Sequence, residues 1–525
     1  MPGKTHSVTL DGMAGRVIEV ETDIGNGLPR TVLVGLADTM VSEARDRCRS
    51  AVANSEISWP DRLVTICLAP SALPKSGVHF DLAIAMSVAA AMGKVPAAAL
   101  EHVVFLGELA LDGRLRAVHG VLPATLAAAE AGFERIVVPE SNVDEAELVG
   151  DIEVVGVRSL RQTVALLTGQ EQPDDPPVPP LTAMPGASWT SADRLEALDL
   201  AEVAGQEDAR LAVLAAAAGG HHLLMTGPPG VGKTMLAQRL PALLPDLTRE
   251  QSLETSAVHS VAGVLPADAP LLIRPPFLDP HHTASAVSIV GGGSRGIRPG
   301  ALSLAHHGVL FLDEAPEFAS NVIEALRQPL ESGRIVVSRS AQTAVYPARF
   351  QLILAANPCP CGLDGAAGDE CRCSPLMRRR YADRLSGPIR DRIDIHRTLR
   401  APSRPELASA LAGAVGTGSL RDLVTEARER QRHRFADENW DLNAGVPGSV
   451  LRNRWPVVAA GRDLVDAQLR NRSLNPRSAD RVLRLAWTLA DIGRHAVPEL
   501  EDVESALALR RDESLGGPFR GLVAS

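Results

Sequence analysis

A glycine-rich segment near the middle of the chain has the residue types and spacing of a phosphate-binding loop. An apolar strand is predicted before it, over residues 223–226, and a helix after it. In such a loop the backbone N–H groups converge on the phosphates of ATP, the lysine reaches the same phosphates, and the final hydroxyl ligates Mg²⁺. The segment therefore predicts ATP and Mg²⁺ binding by Gly227, Pro228, Pro229, Gly230, Val231, Gly232, Lys233 and Thr234.

Polar residues follow two further apolar strands and would complete a hydrolytic site. Asp313 and Glu314 come directly after the run 308–312, and Asn357 follows the run 350–355. At a strand end, Asp313 can hold the Mg²⁺ shell, Glu314 can polarise the attacking water and Asn357 can orient it. The alternative is that the acidic pair only caps the next helix.

Four of the six cysteines fall within fifteen residues, as Cys359, Cys361, Cys371 and Cys373. Four thiolates can bind one structural Zn²⁺ in a tetrahedral site. Each pair is Cys-x-Cys, which is tighter than the usual spacing of zinc ligands. Reduced free thiols and a redox function remain alternatives.

Arginines in two glycine-rich or turn segments are candidates for contact with a nucleic-acid backbone. Arg295 and Arg298 lie in the glycine-rich segment 288–300, which is predicted to be flexible, and Arg339 lies at the turn of a hairpin predicted over 334–346. Flexible arginines suit phosphate contacts that carry no base information. Surface loops without a ligand are the alternative.

Three pairs of adjacent histidines occur, at 221/222, 281/282 and 306/307. Neighbouring side chains on a strand point to opposite faces, so neither member of a pair is expected to chelate a metal with the other. We interpret them as core or loop histidines.

The elements that position these residues divide the chain into four parts. Residues 1–169 alternate strand and helix signals and predict an α+β or α/β domain, with a hairpin turn at Asp112-Gly113. The proline-rich segment 170–197 predicts an extended linker. Residues 198–400 have the strand, loop and helix order of a nucleotide-binding α/β domain, and 401–525 contain helical patterns only.

Composition narrows the possible partners. The chain has 525 residues, a formal net charge of -10 and 3% aromatic residues. Any binding of nucleic acid must therefore be mainly electrostatic and confined to local positive patches. It contains no apolar run of about 18 residues and no charged leader followed by an apolar segment, so we predict a cytoplasmic protein with no membrane contact.

Long stretches of the sequence resemble the YifB/ComM family of magnesium-chelatase-like AAA+ ATPases. The stretches are residues 280–285, 291–293, 298–314, 326–333, 356–362 and 385–396. The resemblance implies a P-loop AAA+ domain of the helix-2-insert group, a C-terminal helical lid and a homo-oligomeric ring, expected to be a hexamer. It also implies that Asn357 is sensor 1, that Arg392 is an arginine finger offered to a neighbouring subunit, and that Arg477 is sensor 2. A surface salt bridge is the alternative for Arg392 and for Arg477.

The N-terminal domain resembles the S5-like α+β catalytic domain of Lon proteases. The similar stretches are residues 73–79 and 106–120. Peptide cleavage in Lon needs a serine nucleophile and a lysine base. The aligned positions here hold His79 and Leu122, so we expect a domain that does not cleave peptides.

The resemblance implies an ATP-driven motor acting on single-stranded or branched DNA. The expected role is a branch-migration helicase in homologous recombination or natural transformation. The alternatives are the ATPase subunit of a magnesium-chelatase-like complex and a protein-remodelling ATPase.

Overall fold

The computed structural model describes most of the chain. The described residues are 2–35, 39–73, 75, 77–181, 198–293, 296–339, 342–364, 371–402, 415–516 and 519. Among these residues, none of the helices combines the length and the apolar character that a membrane crossing requires.

The N-terminal region is built on a seven-stranded mixed sheet with the spatial order β3-β4-β2-β1-β5-β8-β9, beside a two-stranded ladder of β6 and β7. The strands are β1 (Gly3–Asp11), β2 (Ala14–Gly25), β3 (Arg30–Val34), β4 (Leu63–Ala69), β5 (Val103–Phe105), β6 (Glu108–Leu109), β7 (Leu115–Arg116), β8 (Arg135–Pro139) and β9 (Glu153–Val157). The helices are α1 (Thr39–Asn54), α2 (Asp81–Ala91), α3 (Val121–Glu130), α4 (Val143–Ala146) and α5 (Leu160–Thr168).

Sequence patterns identified the hairpin at Asp112-Gly113 but missed strand β1. The hairpin exists as the pair of β6 and β7, with Leu109 opposite Leu115. Strand β1 was missed because its inward side chains are polar. Thr5 and Ser7 are buried and donate hydrogen bonds to the carbonyls of Ala83 and Phe105, both at 2.9 Å. Buried hydroxyls that are satisfied in this way hide the alternation of apolar residues on which strand prediction depends.

The first part of the proline-rich segment lies on the N-terminal domain. Residues 170–181 contain no helix or strand, while 182–197 lie outside the described residues. Val178 packs into the N-terminal core, and the Asp175 carboxylate accepts a hydrogen bond from Ser159 Oγ at 2.5 Å and pairs with Arg161. Contacts with the N-terminal domain therefore hold the first part of the segment in place.

The central region is a five-stranded parallel sheet with the order β11-β14-β17-β10-β18. The five strands of the sheet are β10 (Leu223–Thr226), β11 (Phe277–Leu278), β14 (Val309–Leu312), β17 (Gln351–Ala356) and β18 (Ile395–Thr398). Two antiparallel pairs lie outside it: β12 (Gly291–Gly292) with β13 (Arg298–Pro299), and β15 (Arg334–Arg339) with β16 (Gln342–Pro347). The helices are α6 (Glu207–Gly219), α7 (Lys233–Leu243), α8 (Arg249–Ala262), α9 (Ala286–Val290), α10 (Ala301–Leu304), α11 (Ser320–Ala325), α12 (Arg327–Ser332), α13 (Pro375–Ala382) and α14 (Gly387–Arg390).

Strands β14 and β17 lie inside this sheet, and all their residues are apolar except Gln351, whose side-chain N–H donates to the His221 carbonyl at 2.9 Å. All residues of both strands are buried. Continuous apolar runs of this kind are typical of parallel strands covered on both faces. Since all five strands run in the same direction, their carboxyl ends meet at one edge of the sheet.

The glycine-rich segment 288–300 is more ordered than predicted. Residues 288–290 end helix α9, with Ile289 fully buried, and β12 pairs with β13 so that Gly292 lies opposite Arg298. The expectation of a flexible segment was therefore wrong for its described part. The predicted hairpin is confirmed as β15 and β16, and the Tyr346 hydroxyl joins it to the segment by donating a hydrogen bond to the Ile297 carbonyl at 2.7 Å.

The C-terminal region is helical throughout its described residues, as its pattern predicts. The helices are α15 (Thr417–Arg434), α16 (Gly448–Asn453), α17 (Ala459–Arg470), α18 (Pro476–Gly493) and α19 (Leu500–Arg511). Leucines and alanines of α18 and α19 pack into one core with α6 and the central strand β10. The helical region therefore shares its core with the nucleotide-binding sheet.

A buried carboxylate joins this helical region to the central sheet. Asp394 is 1% exposed, accepts a hydrogen bond from the His222 N–H at 3.0 Å, and pairs with Arg481 of α18. Burial by itself would raise the pKa of Asp394, but the charge of Arg481 and the neighbouring histidines offset it and hold that pKa well below its usual value. The ionised pair fixes α18 beside the loop that carries Arg392.

The N-terminal and central regions are also in direct contact. Ser260 of α8 donates a hydrogen bond to the half-buried Glu145 carboxylate at 2.5 Å, and Arg249 Nη2 donates to the Leu148 carbonyl at 2.6 Å. Met13, at the turn between β1 and β2, packs against the core that contains hairpin β15–β16. Helix α8 and the hairpin therefore both contact the N-terminal domain directly.

Replacing Asp394 by alanine should lower the free energy of unfolding by about 3 to 5 kcal/mol, because the change leaves Arg481 buried without its carboxylate. Urea unfolding followed by circular dichroism measures the change. The control is Glu426→Ala, which removes an exposed partner of Arg494 and should cost at most about 1 kcal/mol. Equal effects of the two substitutions would contradict the role of the Asp394 pair.

Candidate functional site: a nucleotide cleft

The phosphate-binding loop connects strand β10 to helix α7. Gly230 and Gly232 have φ angles of +80° and +99°, in the left-handed region that favours glycine. Lys233 is 8% exposed, and its Nζ donates to the carbonyls of Gly227 and Pro228 at 2.6 and 2.9 Å. The ammonium group is therefore held inside the loop, where a phosphate would bind.

The predicted polar groups from the two neighbouring strands meet this loop. Thr234 Oγ1 donates a hydrogen bond to Asp313 Oδ2 at 2.7 Å, and Lys233 Nζ donates to Asn357 Oδ1 at 3.1 Å. The distances follow from strand register, since Thr226 pairs with Ala356 and Leu312 pairs with Leu354. The structure thus brings together the loop, the acidic pair and the amide.

The donor set of this cleft fits ATP with Mg²⁺. The cleft has a volume of about 640 Å³ and is lined by phosphate-loop residues together with Asn357, Tyr381 and Arg390. A hydroxyl and a carboxylate in contact, as in Thr234 and Asp313, are oxygen ligands of the kind Mg²⁺ prefers. Burial lowers the pKa of Lys233, whereas the charges of Asp313 and Glu314 oppose that shift.

His282 was missed as a site residue by the sequence interpretation. Its Nδ1 lies 3.2 Å from Glu314 Oε2, and Glu314 itself has a φ of +50°. His282 follows β11, the strand that pairs in parallel with β14, and so reaches the same sheet edge as Glu314; no local sequence pattern indicates this pairing. The assumption that adjacent histidines point apart fails here, since the 281/282 pair is not on a strand and its ring centroids are 4.2 Å apart.

The pair His306 and His307 also converges, on the carboxylate of Glu254, at 3.1 and 2.9 Å. This cluster has the composition of a metal site. However, His306 Nδ1 accepts a hydrogen bond from the Arg349 N–H at 3.0 Å, so its Nε2 must carry the proton that faces Glu254. A protonated nitrogen cannot bind a metal, and we interpret the cluster as a hydrogen-bonded support of strand β14.

The four clustered cysteines converge after strand β17. The Sγ atom of Cys359 lies 3.3 Å from that of Cys361 and 3.6 Å from that of Cys371, and the ligand atoms of all four, including Cys373, lie within 4.8 Å of one another. The Cys-x-Cys spacing therefore allows both sulfurs of the first pair to face one point. The cluster can hold a metal ion.

The two candidate arginines lie outside the cleft of their own chain. Arg392 is 7% exposed, donates to the Pro388 carbonyl at 2.6 Å and pairs with Glu331. Burial, followed by the charges of Arg327 and Arg477, lowers the pKa of Arg392, so Arg477 at the start of α18 is close to it. The described lining of the cleft includes Arg390 but not Arg392 or Arg477.

The candidate DNA-contact residues are placed only in part. Arg298 lies exposed on β13 beside hairpin β15–β16, and Arg339 ends strand β15, opposite Gln342. Arg295 lies outside the described residues. The two described positions therefore belong to two ladders, β12–β13 and β15–β16, which the Tyr346 hydroxyl connects.

At the positions that align with the Lon dyad, the structure shows packed side chains. His79 Nε2 is 2.9 Å from the Val8 carbonyl, and burial lowers the pKa of His79 to about 4. Leu122 is buried, and its N–H donates to Glu145 at 2.9 Å.

Comparison with known proteins agrees with this architecture. Residues 199–407 match a family model described as magnesium chelatase, subunit ChlI, residues 20–142 match subunit ChlI of Mg-chelatase, and residues 415–510 match the magnesium chelatase subunit ChlI C-terminal model. The three models follow one another along the chain as the N-terminal, central and helical regions do.

Several relatives match over nearly their whole length. An uncharacterized protein of Mycobacterium tuberculosis is 47% identical over 97% of this chain and 98% of the relative. The uncharacterized protein YifB of Escherichia coli is 38% identical over 97% of each chain, and the competence protein ComM of Haemophilus influenzae is 39% identical over 92% of each. The parallel-sheet nucleotide cleft and these matches define a magnesium-chelatase-like AAA+ protein. The chain belongs to the family that contains YifB and ComM.

Proposed function

We propose that this protein is an ATP-hydrolysing AAA+ ring motor that acts on DNA. The observation that carries the ATPase assignment is the convergence of Lys233, Thr234, Asp313 and Asn357 at one sheet edge, at hydrogen-bond distances. Nucleotide binding alone would need only the loop. Glu314 and its partner His282 add a carboxylate beside the place where the terminal phosphate would lie.

The proposed mechanism assigns one task to each side chain. Lys233 would leave the loop carbonyls to bind the phosphates, and Thr234 and Asp313 would hold Mg²⁺, which would neutralise phosphate charge. Glu314 accepts a proton from the attacking water, and Asn357 orients that water. The contact of His282 Nδ1 with Glu314 Oε2, at 3.2 Å, positions the Glu314 carboxylate.

The arginines support a homo-oligomeric ring, which we propose to be a hexamer. Arg392 and Arg477 are close enough for their charges to interact, and Arg392 is paired with Glu331 rather than with the phosphate loop. On this proposal, assembly draws Arg392 from Glu331 to the nucleotide of the adjacent subunit, with Arg477 beside it as sensor 2. A cation supplied in this way stabilises charge on the transferred phosphoryl group and makes hydrolysis depend on assembly.

The DNA part of the proposal rests on the competence-protein relative and on the surface formed by β13 and hairpin β15–β16. Arg298 and Arg339 lie on it, and Arg295 directly precedes Gly296, a described residue of the same segment. We propose that these arginines follow a phosphate backbone and that the motor migrates DNA branches in homologous recombination or natural transformation. The N-terminal domain then acts as a non-proteolytic Lon-like domain that braces the hairpin.

A second candidate is the ATPase subunit of a magnesium-chelatase-like complex. The 38 kDa subunit of the magnesium chelatase of Rhodobacter capsulatus is 28% identical over 30% of this chain and 49% of the relative. The shorter coverage favours the DNA motor over this candidate. An ATPase assay with branched DNA, porphyrin or unfolded protein as the stimulant separates the motor, the chelatase and the third class, a protein-remodelling ATPase.

Glu314→Gln should retain ATP binding, because Lys233, Thr234 and Asp313 are unchanged, but hydrolysis should fall by about 10² to 10⁴. Phosphate release and binding of a fluorescent ATP analogue measure the two quantities. Glu250→Gln, at an exposed position of α8, is the control and should leave both unchanged. Wild-type turnover in the Glu314 variant would remove this carboxylate from the mechanism.

Arg392→Ala and Lys233→Ala subunits should each be inactive alone and should regain part of the ATPase activity when mixed. Some mixed interfaces then pair an intact loop with an intact arginine. The matched control is a chain with both substitutions, which cannot complement itself. Assembly is verified by light scattering, and a lack of recovery in assembled mixtures would contradict action between subunits.

DNA should stimulate ATP hydrolysis, and its binding should weaken steeply with salt because each neutralised phosphate releases counterions. Arg298→Ala and Arg339→Ala should each reduce the salt slope by about one contact, for all sequences alike. Fluorescence anisotropy at several salt concentrations measures this. Arg462→Ala, at an exposed position on α17, is the control, and equal slopes in all variants would refute the proposed surface.

A further inference from the structure

The four cysteine sulfurs are arranged as in a metal site in which every ligand is a thiolate. Zinc bound by four thiolates has Zn–S distances of about 2.3 Å, which places the sulfurs about 3.8 Å apart. The measured separations of 3.3, 3.6 and 3.6 Å among Cys359, Cys361 and Cys371 are close to that value, and far longer than a disulfide bond. Cys373 supplies the fourth ligand atom.

The cluster joins two segments that are also linked, among the described residues, by the ion pair of Asp364 with Arg378 of α13. Cys359 and Cys361 follow strand β17 and its Asn357, whereas Cys371 and Cys373 precede helix α13. The described residues between these elements form no helix or strand. One tetrahedral ion would replace the missing regular structure by fixing four side chains at a point.

The joined loop forms part of the wall of the nucleotide cleft. Gly362, with a φ of +77°, is so close to the phosphate loop that an added Cβ would lie 2.7 Å from Cδ of Pro229. Pro358 and Asp364, on either side of the first cysteine pair, line the cleft, and Tyr381 of α13 lines it from the other end of the loop. The cysteines therefore lie directly behind the wall against which a nucleotide would bind.

We propose that these four cysteines bind one Zn²⁺ ion, and that this ion holds residues 358–364 against Pro229 so that the cleft keeps its shape for the nucleotide. The coupling to the nucleotide rests on the proposed ATPase function, whereas the metal site itself does not. The ion is structural, because four protein ligands leave no open position for catalysis.

The first experiment measures metal content and nucleotide binding on the full-length protein without DNA. Purified protein should contain about one Zn²⁺ per chain, and replacement by Co²⁺ should give the absorption bands of tetrahedral thiolate coordination. The double substitution of Cys361 and Cys373 by serine should abolish metal binding and weaken the binding of a fluorescent ATP analogue several-fold. Cys67→Ser, in the N-terminal sheet, is the control and should change neither quantity.

A second pair of variants separates the ion from the wall and does not depend on cysteine changes. Gly362→Ala keeps all four ligands but pushes the loop away from Pro229, so nucleotide binding should weaken while the zinc content stays at about one per chain. Gly150→Ala is the matched control, because Gly150 has a similar φ of +80° and an added Cβ there meets no atom within 4 Å. It should leave both quantities unchanged.

Two results would overturn the proposal. One is folded wild-type protein with four free thiols in the cluster and no bound metal. The other is protein stripped of zinc by a chelator, still folded by circular dichroism, that binds the nucleotide with unchanged affinity. Zinc-loaded protein that binds no nucleotide at all would instead refute the proposed ATPase function and leave the metal site standing.

Discussion

The register of β10 between β17 and β18 is the constraint on which the nucleotide cleft depends. Parallel pairing of Thr226 with Ala356 sets Gly227 and Asn357 side by side at the carboxyl edge, and pairing of β14 with β17 brings Asp313 to the same edge. A slip of one residue would turn every side chain of a strand to the opposite face. Strands β14 and β17 are buried and almost wholly apolar, so such a slip is unfavourable and the hydrophobic core fixes the positions of the polar groups.

The sheet edge is connected to the surfaces that would act on a partner. His282 lies between Glu314 and helix α9, which leads directly into β12 and β13, and the Tyr346 hydroxyl links that segment to hairpin β15–β16. The hairpin in turn packs with Met13 of the N-terminal domain. A short path of covalent and hydrogen-bonded contacts thus runs from the Glu314 carboxylate to the arginine-bearing strands.

A second connection runs through the helical region. Asp394 is paired with Arg481 of α18, the helix that begins beside Arg477, and it lies two residues after Arg392. The buried ion pair therefore fixes both candidate arginines relative to the sheet. At the phosphate loop, the segment that carries Cys359 and Cys361 lies against Pro229 at Gly362. The cleft is enclosed by elements from widely separated parts of the chain, each anchored by a buried polar or sulfur contact.

The sequence by itself determined the phosphate loop, the acidic pair, Asn357 and the clustered cysteines. Each of these is a short segment whose chemistry depends on local spacing, and the apolar strands that carry them are continuous runs. Only the tertiary structure decided the contact of His282 with Glu314, the burial of Arg392 against Glu331, and the convergence of His306 and His307 on Glu254. Those contacts join residues that are 32, 61 and about 50 positions apart, so no local pattern encodes them. They arise because parallel strands bring distant chain segments to one edge, and because turns, unlike strands, allow neighbouring side chains to point the same way.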